Sequence, residues 1–204
     1  MSQRIRRSLV AILALGALIV TPAPSPAAEG YNITEPLATI KNPNAPDELP
    51  IRRGYYDAEK DRGFGFDKAY HKHGLTSLEA IKKVSVSPQS EWQGDTLVAK
   101  AYVGKYTCNV LTCNLEEQRE VKAIFTKATR HHDLKLDSPL GMITIYCENP
   151  DKAPKCPEWV QDSILRPGTP LSGVVQGQSG SIDENHVEEI TVFSYEPPRE
   201  SVSR

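Results

Sequence analysis

Two histidines, three cations and three aromatic rings fall within thirteen consecutive residues, RGFGFDKAYHKHG, positions 62–74. His71 and His73 carry imidazole, whose unperturbed pKa lies near neutrality and suits it to proton transfer. Lys68 and Lys72 are one helical turn apart and supply local positive charge. These are the groups that metal-free RNA cleavage needs. The 2′-hydroxyl attacks its own neighbouring phosphorus, which takes a base near that hydroxyl and an acid near the leaving 5′ oxygen. Cations or donors must also surround the equatorial oxygens, whose charge grows in the transition state. His73, just before Gly74, falls in the last turn of the expected helix, where the negative end of the macrodipole favours imidazolium. Further along the chain, Thr144 and Tyr146 offer hydroxyl donors from one strand face, and Lys122 or Arg119 a cation from a neighbouring strand.

The same residues have plainer readings. His73 follows Phe66 by seven positions on one helical stripe, as a packed core histidine would. Lys68 and Lys72 suit a solvated face, and Thr144 and Tyr146 are good strand formers. A metal site would need His71 and His73 on one face. A helix sets them about 200° apart, and His131-His132 read as a solvated turn. GQSGS neither follows an evident strand nor opens a helix, as a serine nucleophile elbow must. The expected site therefore holds neither metal nor cofactor.

The elements that must position these groups can be read from periodicity. Phe66, Ala69 and Tyr70 have the i, i+3, i+4 spacing of a short helix, which Gly74 can stop in a left-handed cap. Thr76-Ser77-Leu78-Glu79 signals a second helix start, and Val84 and Val86 a short strand. Residues 96–107 and 119–127 alternate as two strands of a hairpin, and residues 141–147 as a third strand. In that third strand Ile143, Ile145 and Cys147 face one way, and Met142, Thr144 and Tyr146 the other. Trp159, Val160, Ile164 and Leu165 suit one further helix, and 187–195 a last strand. Helices first and antiparallel strands after give an α+β class: short N-terminal helices packed on a sheet of about four to five strands.

Residues 1–27 read as a secretory signal: Arg4, Arg6 and Arg7, an apolar run from Leu9 to Val20, then a small-x-small end at Ser25-Pro26-Ala27. That run is too short for a membrane span, so the mature chain is expected to be secreted. Cleavage would remove three of 24 basic residues and none of 26 acidic ones, leaving a net charge of −5. A globally basic nucleic-acid binder is thereby excluded, and any anion site must be local. Cys108, Cys113, Cys147 and Cys156 are an even set, which export would oxidise. Four cysteines allow three pairings; short local loops favour 108–113 and 147–156. Residues 28–60 read as an extended, proline-rich lead-in, 61–196 as a single domain and 197–204 as a loose tail.

The order of these pieces resembles the toxin-type nucleases of the barnase–EndoU–colicin–RelE superfamily. Their opening helix often reads G-F-G-aliphatic-x-H-I-x-x-x-H-G, followed by a short helix and an antiparallel sheet ending in a T-x-Y strand. The likeness runs through Gly63-Phe64-Gly65-Phe66, His73-Gly74, LTSLEAIKKV and Thr144-Ile145-Tyr146, within residues 62–147. It implies a metal-independent ribonuclease with RNA as substrate, His73 as acid–base group, and Thr144 and Tyr146 as donors. Lys68 stands where the pattern has its first histidine, so a phosphate contact replaces a base there, with His71 as a shifted alternative. A toxin of this kind implies an immunity or carrier protein, unless export before disulfide formation protects the producer. The competing reading is a non-catalytic secreted binding or cell-envelope module. It would leave Lys68, His73 and Tyr146 far apart, whereas the enzyme needs them in one groove.

Overall fold

Prolines punctuate residues 36–50, yet this stretch is built into the fold. The computed structural model describes residues 31–109, 111–166 and 188–203; the expected signal segment and the Gly/Ser-rich GQSGS lie outside them. Strands β1 (Pro36–Ile40) and β2 (Leu49–Arg52) form a two-stranded antiparallel ribbon. Its Ile40, Leu49 and Ile51 are at most 3% exposed and join the main core. A ribbon of two strands has only edges, so Pro36 and Pro50 are tolerated there. The expected lead-in is thus a structural layer.

The short hairpin of β3 (Tyr55–Asp57) and β4 (Arg62–Phe64) delivers the chain into helix α1 (Gly65–His73). The glycines of the GFG motif have a steric cause. Gly63 and Gly65 lie at φ +150° and +76°, and a Cβ would stand 2.0 Å from the Tyr55 carbonyl oxygen and 2.6 Å from that of Arg52. Only glycine fits such close approaches. Gly74 closes α1 in the left-handed conformation, its N–H and that of Leu75 bonded to the Tyr70 and Ala69 carbonyls. Helix α2 (Leu78–Ser85) starts on Ser77, whose hydroxyl accepts from the Ala80 N–H at 3.3 Å. Val84, expected in a strand, is buried in the last turn of α2 and Val86 caps it. Two valines at i, i+2 are too short a run to tell period 2 from period 3.6.

The main sheet follows. It contains β5 (Ser90–Gln93), β6 (Thr96–Cys108), β7 (Thr112–Thr126), β10 (Gly141–Glu148), β11 (Glu188–Ser194) and β12 (Ser201–Ser203). A small ribbon of β8 (Arg130–His131) and β9 (Leu134–Lys135) bridges β7 and β10, and helix α3 (Glu158–Leu165) follows β10. All pairings in the sheet are antiparallel. Six strands exceed the expected four to five because both central strands are long enough to serve two neighbours in turn. β6 pairs β5 near Thr96–Ala99 and β11 along Tyr102–Cys108. β7 likewise pairs β12 near Thr112–Asn114 and β10 along Glu120–Thr126. The expected loose tail therefore closes a sheet edge, and the Tyr106 hydroxyl donates to the Arg199 carbonyl at 3.1 Å.

The described residues from Asn32 onward belong to one compact α+β unit. Leu97, Ala99, Val103, Val121, Ala123, Phe125 and Ile145 form the buried face of the sheet. α2 packs against β6 and β7, α1 against β10, and α3 against α2, β6 and β11. Two disulfides, Cys108–Cys113 and Cys147–Cys156, close the local loops favoured by spacing. Among the described residues, no helix is long and apolar enough to cross a membrane.

Candidate active site

The strand β10 departs from simple alternation where it matters. A bulge lies between Met142, opposite Phe125, and Thr144, opposite Ile124. Ile143 is the extra residue, so Met142 joins the core beside Ile145 while Thr144 and Tyr146 share the other face. The expected grouping of Met142 with Thr144 and Tyr146 fails for this reason.

Tyr146 reaches His73, the last residue of α1, with ring centroids 5.7 Å apart. His73 is 7% exposed, and its Nδ1 lies 2.9 Å from the Pro154 carbonyl oxygen. A carbonyl only accepts, so Nδ1 carries the proton and the neutral ring keeps its lone pair on Nε2. That nitrogen has no protein partner among the described residues. Burial holds the His73 imidazole below the ordinary histidine range. The Pro154 bond opposes the shift, the Lys72 and Lys68 charges add to it, and Asp61 opposes it. This direction is opposite to the one expected from the macrodipole, because desolvation penalises imidazolium.

Lys68 is half-buried and has no hydrogen bond or ion pair among the described residues. Burial, then the neighbouring Lys72 charge, pulls its ammonium below the ordinary lysine range, with Asp61 opposing. Lys72 is different: its Nζ sits 2.6 and 2.7 Å from the two Asp61 carboxylate oxygens. Lys122 lies directly across from Tyr146 but is 2.7 Å from Glu148 and 3.9 Å from Glu120. Burial works against its charge, but the Glu148 bond and both carboxylates outweigh that and raise its pKa. Arg119 is three positions from Lys122, on the opposite face of β7. Its guanidinium is engaged by Asn149, the Gln118 carbonyl and Glu117. Of the four expected phosphate cations, then, Lys68 alone lacks a protein counter-ion in contact.

Thr144 supplies a second open valence. It is 9% exposed, and its Oγ1 is buried without a hydrogen-bond partner. Such a group costs about 1–3 kcal/mol unless something satisfies it, and it shares its strand face with Tyr146. His71 is not gathered with His73 and Tyr146: it is exposed beside the Tyr70 ring, centroids 4.9 Å apart, while His73 two residues on is buried.

A further imidazole is placed otherwise than expected. His131, read there as part of a solvated turn, packs on the Phe64 ring at 5.7 Å and places Nε2 3.4 Å from the Gly63 carbonyl oxygen. Burial lowers its pKa, with His132 and Lys68 adding and the Gly63 carbonyl opposing. The Lys68 charge therefore acts on both His73 and His131. No signal in the sequence marks this, since β8 is only two residues long.

Among the described residues no three His, Cys, Asp or Glu side chains gather as metal ligands would. A cleft of roughly 380 Å³ opens elsewhere, lined by Asn44, Asp47, Glu48, Trp92 and Lys127 among others. It shares no lining residue with α1 or the Thr144–Tyr146 face and carries no imidazole. In comparisons with known proteins, no family model, curated protein or solved structure matches this chain.

Proposed function

We propose that this chain is an exported, metal-independent endoribonuclease of toxin type, cutting RNA by transesterification to a 2′,3′-cyclic phosphate. His73 Nε2 takes the 2′-hydroxyl proton and returns a proton to the leaving 5′ oxygen. Lys68 holds the phosphate, and the Thr144 and Tyr146 hydroxyls donate to its equatorial oxygens. The carrying observation is the placement of His73: Nδ1 anchored on the Pro154 carbonyl, the ring beside Tyr146, and burial with the Lys72 and Lys68 charges lowering its pKa. A base held neutral at working pH is what proton abstraction requires. The order of elements, two helices and then an antiparallel meander of β5, β6, β7 and β10, supports the reading. Export is supported by the charged and apolar leader and by two disulfides.

Purified mature protein incubated with mixed RNA and EDTA should release cyclic-phosphate ends, and His73→Ala should abolish that. Intact RNA across neutral pH would sink the enzyme. A second reading is favoured by the 7% exposure of His73: a non-catalytic module that grips an anion on Lys68. It predicts RNA or phosphate binding, lost in Lys68→Met, with no cleavage under any condition.

A further inference from the structure

His73 is gripped twice by one loop. Its ring Nδ1 bonds the Pro154 carbonyl at 2.9 Å, and its own main-chain carbonyl accepts from the Cys156 N–H at 2.9 Å. The second bond satisfies one of the carbonyls that a helix end leaves without an intrahelical partner. The loop between β10 and α3 has its own internal ties. Asn149 Nδ2 donates to the Ala153 and Lys155 carbonyls at 2.7 and 2.8 Å, and its Oδ1 accepts from Arg119. The Arg119 bond ties the start of the loop to β7, and the Cys147–Cys156 disulfide ties its far end covalently to β10. Cys147 is the strand neighbour of Tyr146, whose ring packs on His73. One covalent bond thus joins the two pieces that hold the imidazole, the strand and the loop.

We propose that the Cys147–Cys156 disulfide is a positioning latch for His73, so that the site is assembled only after the chain is oxidised. The proposal rests on the nuclease reading for its consequence, not for its geometry. Closure converts two thiols to one disulfide, with two electrons and two protons passing to a disulfide donor by thiol–disulfide exchange. Before closure, Cys156 and Pro154 are tethered to β10 only through the intervening loop, and the Nδ1–H anchor competes with water. After closure, the tautomer with Nε2 basic is selected. The charged groups that act on His73 are Lys68 and Lys72 from α1 and Asp61 from the turn before β4, and the titratable group packed on its ring is Tyr146 from β10. None of them changes with redox state. A chain kept reduced inside the producing cell would be inactive, and one exported to an oxidising compartment would become active.

The test uses mature protein carrying Cys108→Ser/Cys113→Ser, so that 147–156 is the one disulfide. Nitrogen-15 spectra of the imidazoles report tautomer and pKa without any RNA. Oxidised protein should show the Nδ1–H form at His73 and a pKa below the ordinary histidine range. Reduction by dithiothreitol should leave the sheet circular dichroism intact, mix the tautomers and shift that pKa upward. Glutathione disulfide should restore the first pattern. Asn149→Ala, with the disulfide intact, should shift His73 part of the way. Identical His73 spectra in both redox states overturn the latch. So does global loss of sheet signal on reduction, which would make the bond a general staple. Because the readout needs no substrate, an inert latch leaves the ribonuclease reading standing, and absent cleavage leaves the latch standing.

Discussion

At the scale of single residues, two side chains carry opposite signatures of function, and each leads to a separable prediction. His73 places Nδ1 on the Pro154 carbonyl, and the proposed chemistry uses the other nitrogen, Nε2. His73→Asn places an amide N–H near the Nδ1 position and so keeps the Pro154 carbonyl paired. It should fold with stability close to the parent, within about 1 kcal/mol, and lose RNA cleavage. His73→Ala should also lose cleavage and cost a further 1–3 kcal/mol or so, from an unpaired buried carbonyl, measured by urea unfolding. If His73→Asn cleaves RNA normally, the imidazole is structural only. Lys68 is the converse case: its half-buried ammonium has no hydrogen bond or ion pair among the described residues, and burial lowers its pKa, so the charge is expected to cost the fold stability. Lys68→Met should raise the urea midpoint while weakening RNA binding. A lower midpoint would mean that the lysine is a stabilising surface charge and not an anion site.

At the scale of elements, the legible parts are those whose signal is local. Helix α1, though not the burial of Tyr70 on its expected apolar stripe, the Gly74 stop, the long hairpin and both disulfide loops depend on residues near one another in sequence. Other features depend on partners that are distant. The bulge at Ile143 arises from pairing with β7, and a phase slip of one residue is invisible in a run as short as GMITIYC. His131 is positioned by Phe64 and Gly63, nearly seventy residues away. The proline-rich β1–β2 ribbon hides its apolar residues because they face the core at irregular intervals. The cations were legible as residue types, but their carboxylate partners, Asp61 for Lys72 and Glu148 for Lys122, were not. The GFG motif resembles a family mark, and the structure gives it a steric cause. Gly65→Ala forces a Cβ to 2.6 Å from the Arg52 carbonyl at a positive φ. It should cost on the order of 2 kcal/mol or more in urea unfolding. Because β4 feeds α1 directly, the same change should lower cleavage at temperatures where the fold survives. A neutral effect on both would mean that β4 and the start of α1 shift freely, and with them the placement of Lys68.

At the scale of the whole molecule, the site leaves a mark on stability that needs no substrate to observe. Both His73 and His131 have folded-state pKa values lowered chiefly by burial. In the unfolded chain they return to the ordinary value near 6.5. Between the lowered and the ordinary values, the unfolded state therefore binds more protons than the folded one, and stability rises with pH in that window. Their contribution is fully present above the ordinary histidine pKa. It is lost progressively as pH falls from there through the folded values, and is constant below them. The urea midpoint should be flat between roughly pH 7 and 8 and fall as the pH is lowered toward 5. Carboxylates with lowered pKa, such as Asp57 and Asp61, act in the same direction at still lower pH, so the histidine part must be isolated by substitution. His73→Asn removes one titrating group without emptying its pocket, and should flatten the fall between pH 7 and 5 by about half if the two histidines contribute alike. Adding His131→Asn should remove most of the remainder. A double variant with the parent's pH dependence would show that neither imidazole is held neutral by the fold. The state of His73 on which the proposed chemistry depends would then be absent in solution.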